Sequence, residues 1–292
     1  MGLEVIIMKI GLVLEGGGMR GAYTAGVLDA LLEREIYTDY VIGVSAGACN
    51  AVNYVARQRE RCRRTTVEEA ADKRYMGVGN FIKSGSFIGM DYIFDKLPNE
   101  IDPFDYDTFI SSPTECVTVL TDAVTCESVY VPKSRIPRGS YDILAASCAL
   151  PIFSPPVDVE GRKFYDGGIL DPIPVDRAFA DGCDKVIVVL TQPEGYIKGP
   201  QKGRAVYRLW LHKYPKISQV LCTRHEKYNY EVRHVKELEQ EGKALVLRPS
   251  YDTGVTRTTR ELNILEEAFA LGRRDLEAVD GRLGEFITGG TK

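Results

Sequence analysis

Three consecutive glycines separate an apolar, strand-like run from a helix-like run near the start of the sequence. The stretch LVLEGGGMRGAY covers residues 12 to 23, and its glycines are Gly16, Gly17 and Gly18. Glycine loses more backbone freedom on folding than any other residue, about 0.5–1 kcal/mol relative to alanine within an element. A tight strand-to-helix turn, the simplest explanation, needs only one or two glycines. Three of them favour a backbone that lies close to another group and directs its N–H groups toward it.

Short apolar runs alternate with segments of helical periodicity along most of the chain. The predicted strands are 9–15, 38–44, 116–122, 127–132, 162–166, 185–191 and 244–249. The predicted helices are 19–35, 45–60, 140–149, 173–181, 204–212, 217–240 and 258–280. This alternation predicts an α/β fold, a three-layer sandwich whose mainly parallel central sheet is covered by helices on both faces.

Composition and charge narrow the class of protein. The formal net charge of −4 gives no overall attraction to nucleic acid, so we expect no nucleic-acid partner. The seven cysteines include no CxxC pair, and their odd number favours a reducing compartment. No apolar run is long enough to cross a bilayer, and the stretch 2–14 predicts a strand rather than a signal peptide because Glu4 and Lys9 interrupt it. We therefore expect a cytoplasmic protein in which any membrane contact is peripheral.

A second motif lies where the second predicted strand gives way to a helix. GVSAG, residues 43–47, has the GxSxG form of a nucleophile elbow. Ser45 would occupy the apex of a sharp turn, and Gly43 and Gly47 on either side would leave room for it. The positive end of the helix dipole there would favour a serine alkoxide. The motif therefore predicts Ser45 as a nucleophile, with a simple turn serine as the alternative.

The glycine turn and the serine would meet at one edge of a parallel sheet, because both follow the carboxyl ends of strands. A carbonyl attacked by Ser45 develops negative charge on its oxygen, which pre-aimed backbone N–H groups stabilise. Loss of one such donor typically costs about 2.7–4 kcal/mol of transition-state stabilisation. This exceeds the cost of the glycines, so Gly16, Gly17 and Gly18 are interpreted as an oxyanion hole.

The same glycines also satisfy a dinucleotide-binding pattern. Gly16, Gly18 and Gly21 form GxGxxG between a strand and a helix, and Asp39 falls near the spacing expected of the ribose-binding acid. However, Asp39 precedes the apolar VIGV run (41–44) of the second predicted strand, whereas that acid should follow the strand. A dinucleotide site also gives GVSAG no role, so it is kept only as an alternative.

A third motif, FYDGGI at residues 164–169, ends a predicted strand with two glycines. Asp166 at that strand end is positioned to reach Ser45. Asp171 is a nearby competitor, but Pro172 after it favours a helix N-cap role for Asp171. Asp166 is therefore the predicted partner of the serine.

These motifs together, EGGGMRG, GVSAG and DGG, joined by ASCALPIFSPP at 146–156, resemble the patatin-like phospholipase family over about residues 9 to 190. The resemblance implies a modified α/β-hydrolase-like sheet and a serine–aspartate dyad, with Ser45 as nucleophile and Asp166 as general base. It implies hydrolysis of lipid acyl esters without a metal or other cofactor. The implied oxyanion hole consists of Gly16, Gly17 and Gly18, assisted by Arg20. Many members carry Asp at the position of Glu15.

Other catalytic arrangements stay open. His212, His225 and His234 follow Asp166 and would give the Ser, Asp, His order of ordinary α/β-hydrolases. All three lie among charged residues in predicted helices, which favours solvated or capping roles. A general carboxylesterase or thioesterase would use the dyad residues equally well, and a decayed site would leave a lipid-binding protein.

The composition changes after Pro193, where a glycine-rich loop leads into a long charged stretch. We expect a catalytic domain at 1–199 and a helical C-terminal extension at 200–292 packed on it. The extension resembles that of a bacterial subgroup of the family. The sequence leaves the oligomeric state open.

Two segments bear on how a lipid or other acyl ester substrate would approach. Residues 80–94 mix aromatic and aliphatic side chains with glycines, as either an apolar flap or a buried core segment would. RQRERCRR at 57–64 carries five arginines and one glutamate. These arginines would either complement a helix dipole or attract anionic lipid headgroups.

Overall fold

The computed structural model describes residues 8–200 and 203–288, so residues 2–7 of the predicted N-terminal strand lie outside the described residues. Within that range, eight strands form one sheet. The strands are β1 (Ile10–Leu14), β2 (Tyr40–Val44), β3 (Glu115–Asp122), β4 (Ser128–Pro132), β5 (Val157–Val159), β6 (Arg162–Asp166), β7 (Lys185–Val189) and β8 (Ala244–Leu247). They follow the order β5-β6-β3-β2-β1-β7-β8, with β4 also beside β3.

The central strands of the sheet are parallel, and their carboxyl ends lie at the same edge. β1, β2, β3, β7 and β8 run parallel, whereas β4, β5 and β6 are antiparallel to their neighbours. Leu14 at the end of β1 pairs with Gly43 on one side and Val189 on the other. Every residue of β1 and β2 is buried, as expected for parallel strands covered on both faces. The turns after β1, β2 and β7 therefore lie side by side at one edge.

Helices cover both faces of the sheet. They are α1 (Gly21–Glu33), α2 (Ala46–Val55), α3 (Arg61–Arg63), α4 (Val78–Ser84), α5 (Tyr106–Ser111), α6 (Asp142–Ser147), α7 (Val175–Ala180), α8 (Arg204–Trp210), α9 (Pro215–Gln240), α10 (Leu262–Glu277) and α11 (Asp280–Thr288). One apolar core joins α1, α2, α6 and α10 to one face of the sheet, and a second joins α7 and α9 to the other. The predicted three-layer α/β fold is confirmed.

The C-terminal part contributes to both the sheet and the helical layers. β8 pairs with β7 in parallel, so residues after 200 extend the central sheet. α10 packs so tightly on α1 that a Cβ at Gly272 would lie 2.2 Å from the Tyr23 carbonyl oxygen. The boundary between 1–199 and 200–292 stays a prediction.

Several elements have no counterpart in the predictions. Residues 61–101 form short helical segments, including π-helical turns at Arg64–Glu68 and Tyr92–Ile101. Charged residues interrupt this region, so it lacks the apolar periodicity that identifies longer helices. All seven cysteines are free thiols. None of the helices described combines the length and the apolar character that crossing a bilayer requires.

Candidate active site

Ser45 lies at the sharp turn between β2 and α2. Its backbone has φ 56° and ψ −126°, a conformation that non-glycine residues rarely adopt. A Cβ at Gly43 would lie 2.6 Å from the carbonyl group of Gly47, and a Cβ at Gly47 would lie 2.4 Å from the Leu14 oxygen. Neither position has room for a side chain, so both glycines are required for this turn.

Ser147, to which sequence analysis assigned no role, holds the turn in place. The Ser45 N–H donates to Ser147 Oγ at 2.8 Å, and Ser147 Oγ donates to the Val119 carbonyl at 2.9 Å. Ser147 is fully buried at the end of α6. It lies in the ASCALP stretch (146–151), which entered the sequence predictions only through the family resemblance. This chain of hydrogen bonds fixes the strained serine to β3.

Asp166 reaches the serine because of the sheet register. β4 pairs along one edge of β3, and β2 pairs along the other edge as far as Val119. β6 continues along that second edge, where Asp166 pairs with Leu120. Asp166 therefore lies just beyond the end of β2, where the chain turns at Ser45.

The Asp166 carboxylate is buried, with only 2% of the residue exposed. Burial raises its pKa, while the Arg224 charge, the Gly168 N–H and a hydrogen bond from the Ser45 side chain lower it, and the net shift is upward. The Gly168 N–H donates to Asp166 Oδ1 at 2.7 Å. Asp166 is thus a stronger base than an ordinary aspartate, yet it is held in one orientation.

The three glycines share a small pocket with these two residues. The residues that line this serine pocket are Gly16, Gly17, Gly18, Ser45, Leu150, Asp166, Gly168, Arg224 and Arg257. A Cβ at Gly16 would lie 3.1 Å from Ser45 Cβ, so the backbone passes directly beside the serine. Among the described residues, no acceptor takes the N–H groups of Gly16, Gly17 or Gly18. These N–H groups remain available to a ligand.

Arg20 and Glu15 lie outside the serine pocket, in a larger polar cleft next to it. The buried Glu15 carboxylate accepts a hydrogen bond from the Thr191 N–H at 2.6 Å. Burial raises the Glu15 pKa, although hydrogen bonds from Thr191 and Tyr228 oppose the shift. Glu15 therefore ties the glycine turn to the loop after β7.

A separate, apolar cleft also has Ser45 in its lining. Much of its wall comes from residues 80–94, through Phe87, Ile88, Ile93 and Phe94. Phe94 is buried, whereas Ile82 earlier in the segment is 81% exposed. The second half of the segment thus contributes to the cleft wall and to the core, and the flap role stays a prediction.

The rival residues are placed elsewhere. No histidine occurs among the described residues that line the serine pocket. His212 Nδ1 lies 3.1 Å from the Leu209 carbonyl, His234 lies 3.0 Å from Asp176, and His225 lies 3.9 Å from its neighbour in sequence. His212 and His234 thus have local partners, whereas His225 Nδ1 is buried without a hydrogen-bond partner among the described residues; none of the three lines the serine pocket.

The helix N-cap role expected of Asp171 is wrong. α7 begins at Val175 and its N-cap is Pro174, whereas Asp171 accepts a hydrogen bond from the Tyr130 hydroxyl at 2.7 Å. The PIP segment after Asp171 delays the helix because proline restricts the backbone of the residue before it.

Asp39 does not fulfil the ribose-binding role that a dinucleotide site would require. Its carboxylate accepts a hydrogen bond from the Ile10 N–H at 2.8 Å, at the start of β1. The glycine turn follows the opposite end of that strand. Asp39 and Gly16–Gly18 are thus separated by the length of the strand.

The arginines of 57–64 bind partners within the chain. Arg59, Arg61, Arg63 and Arg64 each form an ion pair with a carboxylate of this chain. Arg57 lies over the Tyr37 ring, 4.3 Å from its centroid. These contacts join α2 and α3 to neighbouring elements.

Comparison with known proteins gives two family matches. A model described as "Patatin-like phospholipase" matches residues 12–179, more than half of the chain. A model for a domain of unknown function, DUF6363, matches residues 214–288.

Three relatives illustrate the similarity. The uncharacterized protein YjjU of Escherichia coli (strain K12) is 29% identical over 209 residues, which are 70% of this chain and 57% of that protein. The uncharacterized NTE family protein Rv1063c of Mycobacterium tuberculosis is 26% identical over 223 residues, 73% of this chain and 57% of the relative. Lysophospholipase nte1 of Aspergillus terreus is 28% identical over 186 residues, 62% of this chain and 12% of that protein. This chain thus spans just over half the length of the first two relatives. Because this family model matches most of the sheet and all three motifs, the chain belongs to the patatin-like phospholipase family.

Proposed function

We propose that this protein is a serine lipid acyl hydrolase that cleaves carboxylic esters of phospholipids or related glycerolipids. The proposal rests on one observation: Ser45, Asp166 and Gly16–Gly18, whose N–H groups have no acceptor among the described residues, line a single pocket that adjoins an apolar cleft. Family membership and the lysophospholipase name of a relative support the same chemistry.

The proposed reaction has two halves. Ser45 Oγ attacks the ester carbonyl while Asp166 takes the serine proton, and the Gly16–Gly18 N–H groups stabilise the oxyanion. Asp166 then gives this proton to the departing alcohol oxygen, which leaves an acyl-serine. Water, deprotonated by Asp166, attacks that ester and releases the fatty acid, and the proton returns to Ser45. The apolar cleft would hold the acyl chain throughout.

A fluorophosphonate probe tests the nucleophile, and a panel of acyl esters tests the substrate class. We expect labelling at Ser45, mapped by mass spectrometry, and hydrolysis of phospholipid and glycerolipid esters. Ser45→Ala should abolish both, and Asp166→Asn should lower kcat by at least about 100-fold, because general base catalysis contributes about 10²–10⁴-fold. Asp171→Asn is the matched control, since Asp171 is a partly buried aspartate that does not line the serine pocket.

The histidines provide the opposite test. A variant with His212, His225 and His234 all changed to Gln should keep its activity. If that variant is inactive while Asp166→Asn remains active, the dyad is rejected. Labelling of Ser45 without hydrolysis of any lipid would retain the nucleophile and reject the substrate class.

A further inference from the structure

Four basic side chains from separate parts of the chain converge on the polar cleft. They are Arg20 after the glycine turn, Lys198 in the loop after β7, Arg224 in α9, and Arg257 between β8 and α10. Three of the four residues lie outside the part of the chain matched as patatin-like phospholipase.

These side chains lack the acidic partners that most arginines of this chain have. Within residues 8–200 and 203–288, none of the four forms a salt bridge with a carboxylate. Arg224 Nε donates to the Gly168 carbonyl, and Lys198 Nζ lies over the Tyr228 ring, 4.6 Å from its centroid. Burial and the charge of Arg257 lower the pKa of Arg224, so each positive charge disfavours the other. Glu15 also lines this cleft and the Asp166 carboxylate interacts with the Arg224 charge, so in the described part of the chain four basic groups face two carboxylates without forming a salt bridge to either. Such an excess of positive charge is the arrangement expected of an anion-binding site.

The Lys198 loop is anchored rather than loosely attached. The Lys198 N–H donates to Asn229 Oδ1 and the Asn229 side-chain amide donates to the Lys198 carbonyl, each at 2.9 Å. This pair of bonds fixes the loop to α9, which also carries Arg224. The relative positions of the two basic side chains are therefore set by the fold.

The serine pocket connects the polar cleft with the apolar cleft. It shares Gly18, Ser45 and Leu150 with the apolar cleft, and Gly16 and Arg224 with the polar cleft. Arg257 lines all three. An ester held at Ser45 would thus lie next to both an apolar space and a positively charged space, which also share Phe153 and Thr258.

We propose that Lys198, Arg224 and Arg257, with Arg20 beside them, form a subsite for the phosphate group of a glycerophospholipid whose acyl chain lies in the apolar cleft. The inference rests on the proposed function, since it concerns the headgroup side of the same substrate. It assigns a substrate-binding role to residues from the C-terminal part of the chain.

Binding of an uncleavable analogue tests the subsite without requiring turnover. Calorimetry with the full chain would compare 1-O-octylglycerol 3-phosphate, below its micelle concentration, with 1-O-octylglycerol and with inorganic phosphate. The phosphate lipid should bind at least about tenfold more tightly than either, because only its phosphate and acyl chain together would engage the basic groups and the apolar cleft. Lys198→Gln and Arg257→Gln should each weaken that binding about tenfold. Arg233→Gln, an exposed change on α9 with the same loss of charge, is the matched control.

Proton uptake gives a second readout. Burial, together with the positive charges nearby, lowers the pKa of Lys198 to about 6. The charged or titratable groups around Lys198 are Glu15, Arg20, Arg224, Tyr228 and Arg257. An incoming phosphate favours the protonated amine, so binding at pH 7.5 should take up protons, visible as a binding enthalpy that depends on the buffer. Lys198→Gln should lose this uptake.

Three results would overturn the subsite. Octylglycerol could bind as tightly as its phosphate, or the Lys198 and Arg257 variants could bind like the Arg233 control. Inorganic phosphate binding as tightly as the phosphate lipid would assign the cluster to free phosphate instead of a headgroup. None of these measurements depends on Ser45 chemistry, so failure here is separable from a failure of fluorophosphonate labelling.

Discussion

Two opposing effects act on the carboxylate of Asp166. Burial raises its pKa, whereas the positive charge of Arg224 and hydrogen bonds from Gly168 and Ser45 lower it. Because the net shift is upward, a base at this position would accept the serine proton more readily than an exposed aspartate, but would be protonated at a higher pH. The acidic limb of the pH–rate profile should report this balance.

Arg224→Gln tests the balance. Removing the positive charge takes away an interaction that lowers the Asp166 pKa, so the acidic limb of kcat/KM should move to higher pH. Arg233→Gln should leave the acidic limb in place, because Arg233 is an exposed residue of α9 that does not line the serine pocket. Full pH profiles of the three proteins check this. A limb that moves to lower pH, or stays where it is in Arg224→Gln, would contradict it.

At the scale of single elements, the structure explains which parts of the site are visible in sequence. The turn at Ser45 depends on Gly43 and Gly47, which lie within two residues of it, so a short motif predicts it. Arg224 and Arg257 reach the serine pocket through the packing of α9 and of the loop before α10. Helical periodicity predicts a helix over 217–240, but it does not say which residue of that helix faces the DGG turn. Such long-range contacts leave no local pattern.

Ser147→Ala should destabilise the turn at Ser45 between β2 and α2. The change removes the acceptor of the Ser45 N–H, and a buried donor left without a partner costs about 1–3 kcal/mol. We expect lower unfolding free energy and a lower kcat, measured by denaturant unfolding and by ester hydrolysis. Ser134→Ala, at an exposed position, should change neither. Equal behaviour of the two variants would show that Ser147 does not support the turn.

Two glycines in the last helices should respond in opposite ways to alanine. In α10, a Cβ at Gly272 would lie 2.2 Å from the Tyr23 carbonyl, so Gly272→Ala should destabilise the protein by about 1–3 kcal/mol through overpacking. In α11, Gly284 faces open space, and Gly284→Ala should be neutral or stabilise by up to about 1 kcal/mol. Thermal unfolding measures both. A loss of stability in Gly284→Ala alone would contradict the close packing of α10 on α1.

On the scale of the whole molecule, the C-terminal part completes structures that begin in the N-terminal part. β8 covers the edge of β7, α10 packs on α1, and α9 contributes Tyr228 and Val235 to the core on the second face. The alternation of strands and helices predicted the layers of the fold from local periodicity. It did not predict how completely these last elements enter the core, because that depends on which faces meet after folding.

A chain ending at residue 199 tests this dependence. We expect it to lack a cooperative thermal transition and fluorophosphonate labelling, because the edge of β7 and the apolar face of α1 would be exposed. The full chain, treated identically, is the reference. A shortened chain that unfolds cooperatively and labels at Ser45 would instead make 200–292 a separable extension.

The serine pocket adjoins both the apolar cleft and the polar cleft. This arrangement bears on how the alcohol and the fatty acid released from an ester would leave the protein. In the proposed reaction, the alcohol fragment would lie in the polar cleft after the first step, while the acyl chain still attached to Ser45 would occupy the apolar cleft. We expect water for the second step to enter by the route the alcohol vacates, so that the acyl group need not move between the two halves of the cycle.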